Sequence, residues 1–272
     1  MTPSVSLIIS TYNRPDALRL VLESVRRQTL TPMDVVVCDD GSHDDTRALV
    51  EKLRDSGFPG RLVHVWHEDR GFRLAEIRNK GVAECRGEYI VQIDGDMMLD
   101  RHFVEDHARL ARKGFYIKGT RIMLNESYTR RLERRGRLPM FLPGLLSRGI
   151  AKNRIKSLRL PWPGFKKTPT YRTKGTGIGA NMSFWREDFM KVNGYDESFT
   201  GWGCEDTDLM DRLERMGVRT FKTFHLAKAY HLYHPESKNP RLEEANRKLR
   251  EKIESGEIRC SNGIDKHMTH NG

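Results

Sequence analysis

QIDGDMM, residues 92–98, places two carboxylates one residue apart at the end of an apolar run. The preceding residues, GEYIV (87–91), have the composition of a buried strand. Like charges this close repel each other, and burying them is unfavourable without a compensating partner. Two explanations are open. Water solvates Asp94 and Asp96 in an ordinary turn, which is the more frequent case, or a cation lies between them and other groups.

Strand and helix patterns alternate around this stretch over the first 125 residues. Predicted strands are VSLIIS (5–10), DVVVCDD (34–40), RLVHVWHE (61–68), EYIVQID (88–94) and FYIKGTRIML (115–124), and predicted helices begin near Pro15 and span about 44–56, 73–84 and 100–113. This order predicts an α/β fold with a doubly wound, mostly parallel sheet. Ligands bind at the carboxyl ends of such strands, where DDGS (39–42) and DGD (94–96) fall.

The bulk composition is that of an ordinary soluble globular protein of 272 residues, 37% hydrophobic and 31% charged. No run approaches the roughly 18 apolar residues of a membrane-spanning helix. VSLIIS is too short for the core of a signal peptide, so we expect none. Cys38, Cys85, Cys204 and Cys260 are scattered without a Cys-x-x-Cys pair, which favours free thiols in a reducing, cytoplasmic setting.

The formal net charge of +11 is concentrated in one segment. Residues 130–174 contain 14 Lys and Arg against one acid, Glu133, which leaves 34 basic and 36 acidic residues elsewhere. We interpret 126–174, which also carries five prolines, as a basic and mobile insertion of short helices and loops. Three explanations of its charge are open: a solvated surface, a nucleic-acid contact, or contact with an anionic membrane face.

The second half of the chain predicts shorter elements. Helices are expected at about 186–192 and 206–216, strands in VRTFKTF and AKAYHLYH, and a polar helix over 241–256. We expect the last dozen residues to be a frayed tail.

Further polar motifs lie at predicted strand ends of the first half. STYNRP (10–15) offers backbone amides and Arg14 near a helix start, where anions are favoured. Asp40 could accept a hydrogen bond from a nucleobase, and GFRLAEIRNKG (71–81) adds Arg73 and Arg78, which could face a diphosphate. Taken singly, each motif is more often a helix cap or a surface feature.

Together, TYNRP, DDGS, GFRLAEIRNKG and IDGDM resemble the nucleotide-sugar half of glycosyltransferase family 2, over residues 4–125. One departure is Glu76-Ile77, which interrupts the family's Ala-Arg-Asn, although Arg78-Asn79 remains. The resemblance implies a GT-A fold, an inverting mechanism and a divalent metal, Mn²⁺ or Mg²⁺, bound by Asp96. It implies that these residues line the nucleotide sugar: Ser10, Thr11, Tyr12, Arg14, Asp40, Arg73, Asp94 and Gly95.

Residues 179–217 are similar to the C-terminal part of β-1,4-galactosyltransferases and chondroitin-type polymerases. In those enzymes a Trp-Gly-x-Glu-Asp segment shapes the acceptor site, and here it is Trp202-Gly203-Cys204-Glu205-Asp206. Inverting transfer needs a base for the proton of the acceptor hydroxyl. We interpret Asp206 as that base, Glu205 as a partner of sugar hydroxyls and Trp202 as a stacking surface. The alternative is an acidic first turn that caps a helix.

AYHLYHPESKNP (229–240) adds His231 and His234. On a strand their spacing of three would place them on opposite faces, unless a turn near Pro235 brings them together. Alone, either histidine is more often a surface or packed residue. In the galactosyltransferases the matching segment ends in a metal-binding histidine, so the resemblance implies that His234, and with it His231, joins Asp96 in a metal site.

The combined prediction is a single GT-A domain in four parts: a nucleotide-sugar half (1–125), the insertion (126–174), an acceptor and catalytic half (175–240) and a C-terminal helix with tail (241–272). It predicts a metal-dependent inverting glycosyltransferase that moves a hexose, with galactose or N-acetylhexosamine favoured, from a UDP-sugar to a glycan or lipid-linked glycan of the cell envelope. We expect the protein in the cytoplasm or at the inner face of the cytoplasmic membrane, which it would contact through the basic insertion. The rivals are a sugar nucleotidyltransferase and a nucleic-acid-binding protein; no nucleic-acid partner is expected, because no recognition module is visible.

Overall fold

A seven-stranded, mostly parallel sheet lies at the centre of the computed structural model, which describes residues 2–140, 142–160, 179–235 and 242–268. From edge to edge its strands are β10 (Arg219–Lys222), β6 (Phe115–Lys118), β9 (Asn181–Trp185), β4 (Tyr89–Asp94), β1 (Val5–Thr11), β2 (Asp34–Asp39) and β3 (Arg61–Trp66). Only β9 runs antiparallel to its neighbours, β4 and β6. The predicted α/β class with a mostly parallel sheet is confirmed.

The helices follow the apolar periodicity of the sequence. They are α1 (Pro15–Arg26), α2 (Asp44–Asp55), α3 (Leu74–Ala83), α4 (Phe103–Leu110), α5 (Glu126–Arg135), α6 (Arg186–Lys191), α7 (Glu205–Arg215) and α8 (Leu242–Ser255). Helix α1 begins at a proline, whose fixed φ and missing N–H suit the first helical position. Its buried residues, which include Leu18, Val21, Leu22 and Val25, lie on one face toward the sheet.

Both faces of the sheet are covered, because alternate residues of each strand point to opposite sides. In β1, Leu7 and Ile9 pack with Leu18 in one core, while Ile8 packs with Ile77 in the core on the other face. Each of these side chains is fully buried, which stabilises the fold by about 1.5–3 kcal/mol per side chain before entropy is counted. The doubly wound arrangement therefore rests on apolar strands that are buried on both sides.

A second, smaller sheet was not predicted. Its strands, in order, are β5 (Met97–Leu99), β11 (Lys228–His231), β7 (Thr120–Leu124) and β8 (Ile150–Lys152). The single extended segment expected over 115–124 is divided at Gly119 between the two sheets, and a Cβ at Gly119 would overlap the side-chain amide of Asn181. The small sheet pairs His231 with Met97, the residue after Asp96.

The insertion is partly regular. Helix α5 packs through Leu132 into a third core with Met98 and Ile122 of the small sheet, and a 3₁₀ helix spans Arg154–Ser157. Phe141 and residues 161–174 of the predicted insertion, including Trp162, lie outside the described residues. In the described part of the chain no helix combines the length and apolarity needed to cross a bilayer.

The expectation of a frayed tail is wrong for residues 261–268. Ile264, in a 3₁₀ helix over Ile264–His267, is fully buried in the core beneath α3. The Asp265 backbone N–H donates to the Asn193 side chain at 3.0 Å, and His267 contacts Glu197 at 2.7 Å. Because these partners lie about seventy residues earlier in the chain, local sequence pattern gave no sign of them.

Candidate active site

The carboxyl ends of β1 and β4 meet at the centre of the sheet. Ser10 and Asp94 are register partners, and the Gly95 N–H donates to the Ser10 carbonyl at 2.6 Å. A Cβ on Gly95 would lie only 2.8 Å from that carbonyl oxygen and 3.1 Å from the Thr11 hydroxyl. A glycine between the two aspartates therefore lets the strand ends approach each other, while the buried Thr11 hydroxyl has no hydrogen-bond partner among the described residues.

Arg78 of α3 connects the two halves of the site. Its side chain is fully buried, with Nε donating to the Ser10 hydroxyl at 3.0 Å, Nη2 to Asp94 at 2.9 Å and Nη1 to Asp206 at 2.9 Å. A guanidinium can satisfy several acceptors at once because its donors are fixed in one plane. Arg78 thus holds Asp94, the last residue of β4, and Asp206, in the first turn of α7, in a fixed relation.

Asp96, His231 and His234 converge as the resemblance implied. The His234 Nε2 lies 3.3 Å from Asp96 Oδ2, the His231 Nε2 lies 3.6 Å from Asp96 Oδ1, and one ligand atom from each residue falls within 4.8 Å of the others. His231 is the last residue of β11, so the chain leaves the strand before His234 and the two rings come to 5.0 Å between centroids. Because His234 lies beyond the end of β11, the alternation of side chains along a strand does not separate the two histidines.

The electrostatics of this trio fit a divalent cation. Asp96 Oδ1 and His231 Nδ1 are buried and accept or donate no hydrogen bond within the described chain. Burial, reinforced by His234 and Arg121, lowers the pKa of His231 to about 4, so its imidazole is neutral and free to coordinate at pH 7. Burial raises the pKa of Asp96, against the opposing effects of Arg14 and His234. Two imidazoles beside one carboxylate suit Mn²⁺ better than Mg²⁺, which prefers oxygen ligands.

The Glu205-Asp206 pair does not cap its helix. The residue before α7, Cys204, has φ 75° and makes no side-chain capping bond. Asp206 instead turns into the site, where its Oδ1 accepts from Arg78 at 2.9 Å and from the Tyr195 hydroxyl at 3.0 Å. Among the described residues, its Oδ2 accepts the Gly179 N–H alone, at 2.8 Å. The acidic first turn of the alternative is present in α7, but no side chain caps the helix, and the Asp206 carboxylate is directed at Arg78, Tyr195 and Gly179.

Glu205 lies deeper than Asp206. It is buried, and its Oε2 has no hydrogen-bond partner among the described residues. Burial, followed by the neighbouring Asp206 carboxylate, raises the pKa of Glu205 to about 8, although Arg78 opposes this shift. Glu205 therefore remains largely protonated near neutral pH and can donate as well as accept a hydrogen bond.

Asp40 and Arg73, which were also predicted to bind the nucleotide, are already engaged with other residues of the protein. Asp40 is buried at the end of β2, where its Oδ1 contacts His67 Nε2 at 2.6 Å and its Oδ2 accepts the Arg73 backbone N–H at 3.0 Å. The Arg73 guanidinium bonds Glu76 at 3.0 Å and the Glu68 carbonyl, so its contact with Asp40 is through the backbone. The predicted contact of the Arg73 guanidinium with the donor diphosphate stays a prediction.

Two predicted residues lie toward solvent. Tyr12 is half exposed, with its hydroxyl donating to Asp69 at 2.8 Å. Trp202 is 50% exposed and stands between Gly201 and Gly203, whose φ values of 90° and 105° are left-handed. Residues other than glycine rarely adopt such φ values, so the two glycines allow a turn that leaves the indole of Trp202 half exposed.

Arg14 connects the trio of Asp96, His231 and His234 with the insertion. Its Nη1 contacts Asp96 Oδ2 at 3.0 Å, and its Nη2 contacts Glu133 of α5 at 3.3 Å. Arg14 thus forms ion pairs with Asp96 and with Glu133, the one acid of residues 130–174.

Four residues of the site were missed or under-weighted by sequence reasoning. Arg78 was weighed only as a diphosphate partner, and Tyr195, Gly179 and His67 were not singled out. Gly179 and Tyr195 do lie within the stretch used for the galactosyltransferase resemblance. Their contact with Asp206 depends on the fold, so no local signal identified it. A Cβ at Gly179 would overlap the Asp206 carboxylate, which explains a glycine there.

Comparisons with known proteins identify families and relatives that this chain resembles. A family model described as glycosyl transferase family 2 matches residues 6–190, and one described as the N-terminal domain of galactosyltransferase matches residues 165–235. Validoxylamine A glucosyltransferase of Streptomyces hygroscopicus subsp. limoneus is 30% identical over 239 residues, which cover 79% of this chain and 49% of that protein. Chondroitin synthase of Escherichia coli is 26% identical over 247 residues, or 86% of this chain and 35% of that protein.

The chain therefore spans about half the length, or less, of these relatives. Among solved structures, the mannosyltransferase PcManGT from Pyrobaculum calidifontis, in complex with GDP-Man and Mn²⁺, superposes with a TM-score of 0.61 at 18% identity, over 99% of this chain and 69% of that one. This likeness confirms the predicted GT-A fold. With a family model that matches well over half of its residues, the chain belongs to glycosyltransferase family 2.

Proposed function

We propose that the chain transfers a hexose from a UDP-sugar to a glycan acceptor, with inversion at the anomeric carbon and with a divalent metal. The observation that carries this proposal is the convergence of Asp96, His231 and His234 beside the Asp94–Arg78–Asp206 network. Such an arrangement combines a cation site with a carboxylate that can accept a proton. Relatives named for sugar transfer, and a neighbour solved with a nucleotide sugar and Mn²⁺, support it.

The metal would be held by Asp96, His231 and His234. When bound, it would neutralise the donor diphosphate and stabilise the charge of the leaving group. Arg14, which contacts Asp96 at 3.0 Å, would then be released toward the phosphates, at the start of a helix where anions are favoured.

Asp206 would act as the base. Its Oδ1 accepts from Arg78 and Tyr195, so Oδ2, which accepts one N–H from the described residues, is the oxygen that would take the proton of the acceptor hydroxyl. The acceptor oxygen would form its bond to the anomeric carbon as the bond to the diphosphate breaks on the opposite side. Glu205 would hold a sugar hydroxyl through its unpartnered Oε2, and Trp202 would stack on the acceptor.

The test of the base is Asp206→Asn. We expect transfer to fall by about 10²–10⁴-fold, because general-base catalysis is lost, while UDP and Mn²⁺ bind almost as tightly as to the wild-type chain. Calorimetric titration of UDP with Mn²⁺ and a single-turnover rate assay measure the two effects separately. A variant that turns over at the wild-type rate would show that Asp206 is not the base.

The donor proposal has its own test. A galactosyltransferase-type match over 165–235 favours galactose or N-acetylhexosamine, and product masses from a panel of UDP- and GDP-sugars would identify the sugar. In a thermal-shift panel, UDP with Mn²⁺ should raise the melting temperature by mass action, and duplex DNA should not. Stabilisation by DNA alone would favour the nucleic-acid-binding alternative instead.

The acceptor proposed is a growing envelope polysaccharide or a lipid-linked glycan at the inner face of the cytoplasmic membrane. Met140, Leu146 and Ile155 of the basic insertion expose 84%, 92% and 69% of their surfaces among many Lys and Arg residues. Apolar side chains with clustered cations fit an anionic bilayer surface. The chain should co-sediment with phosphatidylglycerol vesicles and not with phosphatidylcholine vesicles, and Met140→Ser/Leu146→Ser should weaken this; equal binding to both lipids would contradict it.

A further inference from the structure

Two lysines lie side by side at the carboxyl ends of β6 and β10. Lys118 and Lys222 are register partners in these parallel strands. Two residues earlier on the same face, Tyr116 and Thr220 are also partners, and their hydroxyls both contact Glu214 of α7, each at 2.7 Å. The tyrosine–threonine pair thus has an acid, whereas neither lysine of the next pair forms an ion pair in the described chain. Like charges directly opposite each other destabilise a sheet.

Two further cations join this pair. Arg121 of β7 accepts, through its carbonyl, a 2.9 Å hydrogen bond from the Asn153 side chain, and Lys156 N–H bonds the Asn153 carbonyl at 2.9 Å. These bonds hold the 3₁₀ helix of the insertion against β7. Burial lowers the pKa of Lys156, and Lys222 and Arg121 lower it further, which places all three charges within electrostatic reach. Neither Arg121 nor Lys156 has an ion-pair partner among the residues described.

The cluster of Lys118, Arg121, Lys156 and Lys222 adjoins the candidate active site on two sides. Lys118 is the register partner of Met182 in β9, three residues after Gly179, whose N–H donates to the proposed base Asp206 at 2.8 Å. Burial lowers the pKa of Lys118, while Glu214 and Asp206, both on α7, raise it. Arg121 pairs with Ala229 in the small sheet, two residues before the pair of Met123 with His231. Alternate residues share a face, so Arg121 lies on the His231 side of that sheet.

We propose that these four cations form a binding site for an oxyanion carried by the acceptor, a phosphate or a sugar carboxylate. Three of the four are half-buried, so their mutual repulsion is only partly screened by water. An anion supplied by the substrate would remove that repulsion. The donor diphosphate is assigned elsewhere, to the metal trio and Arg14, which leaves this cluster for the acceptor; the inference therefore rests on the proposed function.

A matched set of sugars tests the site: glucose, glucuronate and glucose 1-phosphate, titrated by calorimetry into the chain saturated with UDP and Mn²⁺. The variant is Lys118→Gln/Lys222→Gln. The control, Lys52→Gln/Arg109→Gln, makes the same change in net charge at exposed positions of α2 and α4. We expect one of the charged sugars to bind more tightly than glucose, and to lose at least about tenfold in affinity in the first variant but not in the control. The charged sugar that binds identifies the oxyanion.

Equal affinity of the two variants for the charged sugars, or binding of glucose as tightly as its anionic analogues, would overturn the site. UDP titration is read in parallel: failure of the wild-type chain to bind UDP would instead remove the proposed function. The melting temperature distinguishes a structural role of the lysines from a role in binding. Because removal of like charges relieves repulsion, Lys118→Gln/Lys222→Gln should melt at or above the wild-type temperature without ligand, and a lower temperature would count against an unpaired cation site.

Discussion

Two pairs of acids end neighbouring parts of the same sheet, yet their environments differ. At the end of β2, Asp39 contacts His64 at 2.9 Å and accepts the Ser42 N–H at 2.8 Å, while Asp40 contacts His67 and the Arg73 N–H. Every oxygen of this pair has a partner. After β4, Asp96 has one buried oxygen that forms no hydrogen bond with the described residues, although Arg14 contacts the other.

The difference lies in which neighbours each strand end has. His64 of β3 and His67, which directly follows β3, contact Asp39 and Asp40, so both acids at the end of β2 are hydrogen-bonded. Strand β4 lies between β1 and β9, and Asp96, which follows it, faces His231, whose pKa burial lowers to about 4, and His234. A buried carboxylate oxygen without a hydrogen-bond partner is suited to coordinate a metal ion. A fully hydrogen-bonded carboxylate is held in one orientation and is suited to accept a hydrogen bond from a ligand.

The largest expected effect is that of Asp96→Asn. We expect Mn²⁺ binding to be lost and transfer to fall by at least about 10²–10³-fold, because the anionic oxygen of the trio disappears. Calorimetric Mn²⁺ titration and initial rates measure both. The matched control is Asp39→Asn, which changes a paired acid and should leave Mn²⁺ affinity unchanged. Equal Mn²⁺ affinity in the two variants would contradict the distinction between the strand ends.

His234→Ala should have the next largest effect. Loss of one imidazole from the trio should weaken Mn²⁺ binding by about 10–100-fold while UDP alone binds as before. His67→Ala, a histidine beside the β2 acids, is the control and should not alter Mn²⁺ affinity. Unchanged Mn²⁺ activation of the His234 variant would remove that residue from the metal site.

Asp40→Asn tests the other strand end. If the carboxylate reads a nucleobase N–H, its neutralisation should weaken UDP binding by about tenfold and leave Mn²⁺ affinity intact. Titration of UDP, with CDP as the comparison because its base lacks that N–H, measures the change. A loss that is the same for both nucleotides would assign Asp40 a structural role.

Glu205→Gln should produce the smallest effect, visible in stability. Because the folded pKa of Glu205 is raised to about 8, the native state holds a proton that the unfolded chain releases at lower pH, so the wild-type chain loses stability as pH rises through this range. The glutamine variant should therefore gain about 3 °C in melting temperature relative to wild type at about pH 8, and less at about pH 5, without metal. Glu187→Gln, an exposed acid whose pKa is lowered by Lys113, should show no such trend; a gain that is independent of pH would refute the raised pKa.

Much of the fold followed from the sequence, because periodicity is a local property. The helix around Leu18 and Val21 and the strands over 34–39 and 89–94 occur where the apolar pattern predicts them. The small sheet was not predicted, since the break at Gly119 depends on the distant side chain of Asn181. Ile264 was assigned to a frayed tail for the same reason: its partners are far away in the chain.

The sequence by itself determined which residues carry charge at the strand ends, and the resemblance it bears to a family supplied the pairing of Asp96 with His234. Only the tertiary structure decided which of those charges are satisfied. The histidines beside Asp39 and Asp40, the contact of Arg78 with Asp206, and the placement of Lys118 beside Lys222 all depend on strand order and helix packing. Those contacts join residues that are tens to more than a hundred positions apart, and a local pattern does not encode them.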